Sequence, residues 1–204
     1  MLKTFLKPGW VLLLLFVVAF SYLAFTVLAP WQLGKDDDIV ERNELITHAY
    51  EADPKPVEDL VDGNGAIKDD EWSRATLHGH YLPQDEVLLR LRPAESGPSY
   101  QSLVPFRTDS GPTILVNRGW VKAGEANAVP DIPAAPSGET TITGMIRADK
   151  AQHQSAPIRQ EGYQQVYSIH TEQIASLIDA PLAHDYIQLS SDQPGVLNPM
   201  PIPQ

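Results

Sequence analysis

Residues 74–81 read RATLHGHY, and their period of two sets the fold class. Ala75, Leu77, Gly79 and Tyr81 share one face, while Arg74, Thr76, His78 and His80 share the other, as in a strand buried on one side. The pattern recurs downstream. In residues 86–92, Val87, Leu89 and Leu91 point inward and Arg90 and Arg92 outward, and further strands are predicted at 100–107, 113–122, 140–147, 163–170 and 184–190. Seven short strands imply a mainly antiparallel sheet curled into a barrel or sandwich. One helix interrupts them at 171–179, with Ile174, Leu177 and Ile178 on its buried side and Pro181 beyond its end. Residues 72–192 are thus predicted to form a β-rich α+β domain with one or two short helices. The connection 128–138, carrying Pro130, Pro133 and Pro136, reads as an extended surface loop. The proline-rich tail 193–204 offers little to bury.

Upstream, Trp10 to Ala29 (WVLLLLFVVAFSYLAFTVLA) is a twenty-residue run without a charge. At about 1.5 Å per residue a helix of that length spans the roughly 30 Å hydrocarbon core of a bilayer. A cleaved signal peptide has a shorter apolar region and a small-residue cleavage site, so the run reads as a retained transmembrane helix. Lys3 and Lys7 precede it and Asp36, Asp37 and Asp38 follow; positive residues stay cytoplasmic. The expected topology is a cytoplasmic N-terminus (1–9), one span (10–29) and an extracytoplasmic bulk. Trp10, Tyr22 and Trp31 read as markers of depth in the bilayer. The start of the chain lacks an arginine-rich transit sequence, which favours a bacterial plasma membrane over a mitochondrion.

Residues 30–71 read as an acidic juxtamembrane helix and linker. The helix is expected over 36–52 and ends before Pro54 and Pro56; Asp62-Gly63-Asn64-Gly65 reads as a turn. The net charge of −11 concentrates here, with −9 in residues 31–73. Such a segment is repelled by phosphates, which excludes nucleic acid as a partner. With no cysteine, disulfides and thiolate metal sites are excluded.

Motifs for catalysis are missing as well: the chain contains no Gly-x-Ser-x-Gly, His-Glu-x-x-His or Ser-x-x-Lys, and no enzymatic activity is expected. His78 and His80 share a strand face, yet no third ligand is in sight; they read as exposed histidines and no metal site is assigned. Residues 113–122, TILVNRGWVK, are more informative. Their apolar start suggests a central strand, and Gly119 a bulge or a close backbone approach. Alternation sets Arg118 and Trp120 on the face of Ile114 and Val116. Arg118 is then buried with a partner, turned outward by the bulge, or stacked on the indole.

At these residues the chain resembles the Surfeit locus protein 1 family, membrane proteins that assist assembly of haem-copper cytochrome c oxidase. The resemblance runs through Trp31-Gln32-Leu33, Gly79 with Tyr81, Val116-Asn117-Arg118-Gly119-Trp120-Val121, and Pro136-Ser137-Gly138-Glu139 leading to Gly144. It implies help with haem a insertion or with stabilising oxidase subunit I, and makes haem a a candidate cofactor. It also implies that Trp31, Gln32, Asn117, Arg118, Gly119 and Trp120 belong to a partner-facing surface. Family members normally carry a second membrane helix near the C-terminus, whose histidine serves haem in bacterial members; residues up to Gln204 contain no such helix. An alternative expectation is a stably bound accessory subunit of the oxidase or of a respiratory supercomplex, which the acidic neck and single anchor suit.

Overall fold

A computed structural model describes residues 7–62, 65–68, 71–150 and 155–202. Lys3, Gly63 and Asn64, used above for orientation and for a turn, lie outside the described residues. The chain divides into two compact units, Met1–Leu45 and Ile46–Gln204.

In the first unit, the helix that starts at Pro8 is exposed along the apolar run, and it is long and apolar enough to cross a membrane. The span and the acidic helix were expected to be separate, but one helix continues to Glu51. Pro30 fails to break it because the turn before it, Ala24–Leu28, is a π-helix. Proline crowds the carbonyl four residues back, here that of Thr26, and a π-bulge opens the backbone at that point. The Thr26 hydroxyl adds a bond to the Tyr22 carbonyl at 2.6 Å.

The second unit begins with the last turn of that helix. Its nine strands among the described residues are β1 (Lys55–Pro56), β2 (Arg74–Tyr81), β3 (Val87–Ala94), β4 (Gly97–Thr108), β5 (Thr113–Lys122), β6 (Thr140–Arg147), β7 (Ile158–Gln160), β8 (Tyr163–Val166) and β9 (Tyr186–Leu189). They form one sheet in the order β1-β2-β6-β9-β5-β4-β3-β8-β7, and a further β2–β4 pairing closes β2-β6-β9-β5-β4 into a five-stranded barrel. Gly79 is the hinge of that closure. Up to Gly79, β2 pairs with β6; from Gly79 to Tyr81 it pairs with β4. A Cβ on Gly79 would lie 2.0 Å from the Arg107 carbonyl oxygen, so only glycine admits the approach.

Alternation sorts side chains into two cores. Ala75, Leu77, Tyr81, Val104, Phe106, Ile114, Val116, Ile142, Ile146, Ile187 and Leu189 belong to the core of the barrel strands, where Tyr81 meets Phe106 edge-on with ring centres 5.1 Å apart. The opposite faces of β3, β4 and β5 send Val87, Leu89, Leu103 and Leu115 to a second core with Val166 and Ile174. Leu177 and Ile178 of the helix Thr171–Ile178 pack against it, on the side that the sequence predicts. Two-sided burial explains the continuous apolar start of β5.

The sheet is mixed. Alongside antiparallel pairings, six among the described residues, it contains parallel ones, β1–β2, β3–β8 and β5–β9, because crossovers such as the one through Thr171–Ile178 return the chain in the same sense. The strands predicted at 163–170 and 184–190 shorten to β8 and β9, and β1 and β7 are added. Leu91 does not point inward. It sits at a register shift between Leu89 and Arg92, with φ +50° and half-buried. The tail also departs from expectation: Val196 packs against the barrel core, and the Tyr81 hydroxyl donates to the Pro194 carbonyl at 2.8 Å.

Candidate functional site

Arg118 lies just past the middle of β5 on the barrel side and is 1% exposed. Its Nε donates to the Gly195 carbonyl and its Nη2 to the Pro133 carbonyl, both at 2.8 Å. Nη1 faces Glu86 Oε2 at 3.2 Å and Ser102 Oγ at 3.4 Å. Of the three readings of Arg118, the structure selects burial with a partner. One guanidinium thereby ties together the start of β3, strand β4, the proline-rich loop and the tail. Burial pushes the Arg118 pKa down, and the Glu86 charge works against that shift. The loop 128–138 is more than a surface strap, since Ala135 is buried and Pro133 supplies an acceptor.

Asn117 points to the other face and is 3% exposed. Its Nδ2 donates to Gln101 Oε1 at 2.8 Å, and its Oδ1 accepts from the Gly119 amide at 2.9 Å. That second bond pins the bulge at which Gly119 takes φ +105°. A Cβ there would lie 2.0 Å from the Asn198 carbonyl oxygen, which is the close approach that the glycine permits. The tail docks through it: Trp120 N–H to Asn198 O at 2.9 Å, Leu197 N–H to Arg118 O at 2.8 Å, and Asn198 Nδ2 to Trp120 O at 2.9 Å. The Trp120 side chain is half-buried and lines a cavity of about 360 Å³ with Pro93, Ser99, Pro199 and Met200.

Of the residues singled out from the sequence, Asn117, Arg118, Gly119 and Trp120 come together, the first three as interior fasteners. Trp31 and Gln32 lie in the first unit, exposed on the helix, with Lys35 Nζ 4.6 Å from the Trp31 ring centre. His78 bonds Thr141 at 2.7 Å, and His80 faces Glu139 at 3.6 Å. His170 reaches Asp149 Oδ2 at 3.1 Å; that oxygen also accepts from Thr171 N–H at 2.8 Å, so it caps the start of the helix from a distance.

Sequence reasoning missed a polar cavity of about 370 Å³ behind Asn117, walled by Gln101, Gln188, Arg147, Glu71 and Lys150. Gln188 Oε1 accepts from Arg147 Nη1 at 2.8 Å. Arg147 Nε donates to Glu71 Oε1 at 3.1 Å and its guanidinium lies 3.9 Å from the Trp72 ring centre. Lys150 Nζ completes the grip on Glu71 at 2.6 Å. Burial raises the Glu71 pKa, but hydrogen bonds and charge from Lys150 and Arg147 outweigh it and hold the carboxyl below its usual range. The available signal was the pair of glutamines, Gln101 and Gln188, inside buried strands.

The sequence pattern of the SURF1 family matches residues 19–203. The chain belongs to that family. Over 200 residues it is 43% identical to uncharacterized SURF1-like proteins of Mycobacterium bovis and Mycobacterium tuberculosis, an alignment covering 97% of this chain and 74% of each relative. A SURF1-like protein of Rickettsia bellii is 27% identical over 115 residues, covering 55% of this chain and 45% of the relative. The family is linked to assembly of cytochrome oxidase and is not a known enzyme family.

Haem needs an apolar slot and an axial ligand such as histidine. Neither the cavity around Asn117 nor that around Trp120 has a histidine among its described walls, but Met200 lines both and Tyr167 and Tyr186 line the larger, side chains of types that also serve as axial ligands.

Proposed function

We propose that this SURF1 protein is a membrane-anchored binding factor in the biogenesis of haem-copper cytochrome c oxidase, without turnover of its own. It stabilises subunit I while haem a is inserted. The N-terminus is cytoplasmic, and the barrel domain works on the outer face of a bacterial plasma membrane. The partner surface includes Trp120, presented by the Asn117–Gly119 bulge, and Trp31 with Gln32 at the edge of the bilayer. The observation that carries this reading is family membership across residues 19–203, supported by the apolar helix.

Deletion of the gene tests it. Haem a absorbance and oxidase activity of membranes are expected to fall and to return on complementation; unchanged spectra and activity would sink the proposal. An accessory-subunit role is favoured by the acidic stretch after the span. Recovery in fixed stoichiometry with mature oxidase would establish that role, whereas recovery only with immature subunit I supports the assembly factor.

A further inference from the structure

We propose that the polar cavity behind Asn117 is a carboxylate-binding site, taking either an acidic side chain of a partner polypeptide or a small free carboxylate. Three cationic residues, Arg92, Arg147 and Lys150, line it against one anion, Glu71. Glu71 itself demonstrates the chemistry. Its two oxygens are divided between Arg147 Nε and Lys150 Nζ, as those of a bound carboxylate would be.

The floor supplies a second, independent observation. Gln101 is 7% exposed and spends its carbonyl on Asn117, and among the described residues its amide NH₂ has no hydrogen-bond partner. Arg147 likewise uses Nε and Nη1, and its Nη2 has no acceptor among the described residues. Both groups belong to residues lining the one cavity, neither is sealed from solvent, and each is free to donate to an acceptor that enters. Leu89 and Ile169 add apolar wall, which suits a carboxylate on a short carbon chain rather than a bare inorganic anion. Glu71 holds two of the cations in the meantime and so competes with the incoming group.

Titration calorimetry on the full chain in detergent tests this with two probes, butyrate and a short peptide carrying one internal glutamate. Butanol and the glutamine version of the peptide serve as controls. Saturable binding is expected for at least one probe and for neither control, weakened at least about tenfold in Gln101→Leu and in Lys150→Gln. Lys150 is mostly exposed, so Lys150→Gln folds even where Gln101→Leu does not. Glu71→Gln is expected to tighten binding, which a purely structural cluster would not do. Binding of the peptide alone identifies a polypeptide source, and binding of butyrate alone a free one. No saturable binding of either probe, equal binding of the controls, or indifference to Lys150→Gln would overturn the proposal.

Discussion

Replacing Arg118 by methionine removes the guanidinium and keeps most of the side-chain length, which isolates the polar contribution. The loss leaves the carbonyls of Gly195 and Pro133 without their 2.8 Å donors and Glu86, only 13% exposed, without its countercharge. Breaking one partner of a buried ion pair costs about 3–5 kcal/mol, mostly because the remaining charge is stranded. Against a total stability of about 5–15 kcal/mol this is a large share. At about 2–4 °C per kcal/mol for a domain of this size, the melting midpoint should fall by about 6–20 °C. Circular dichroism on the detergent-solubilised chain reads it. Adding Glu86→Gln to Arg118→Met should recover part of the loss, because the stranded charge disappears. A coupling energy under about 0.5 kcal/mol, the additivity expected of independent sites, would refute the reasoning.

Gly119→Ala should release the tail. A left-handed backbone costs a non-glycine residue about 1–2 kcal/mol, and the Cβ collides with Asn198; faster hydrogen exchange at the Leu197 and Asn198 amides is expected, and unchanged protection would count against the docking role. Glu71 makes stability depend on pH. Its folded pKa lies below the usual 4.5, so its stabilisation is complete above that value and is lost as pH falls through the folded pKa. The difference in melting midpoint between the wild type and Glu71→Gln should therefore shrink on acidification; a difference that grows would contradict the Glu71–Arg147–Lys150 grip.

Much of the domain was legible because its strands obey period two. β2, β5 and β6 fall where alternation sets them, and the helix Thr171–Ile178 buries the predicted side. Misreadings came where the backbone leaves its regular period. The bulge at Leu91 turned one side chain away, and the π-turn at Ala24–Leu28 carried a helix through Pro30. The candidate site was half legible. Asn-Arg-Gly-Trp stood out in the sequence, but the partners of Arg118 come from four other segments, up to 77 residues away, and no local pattern announces them.

Residues in chain order suffice to establish the uncharged helix, the strands and the glycine at the bulge, because hydrophobic period and steric freedom are local properties. Whether Arg118 would face water, an indole or a buried carboxylate was undecided until the barrel closed. Closure brings β3, the proline loop and the tail to one end of the barrel, where a charge excluded from water must find its acceptors in the chain itself. The cavity behind Asn117 has the same origin, since Gln101, Gln188 and Arg147 become neighbours only when β4, β5, β9 and β6 lie side by side.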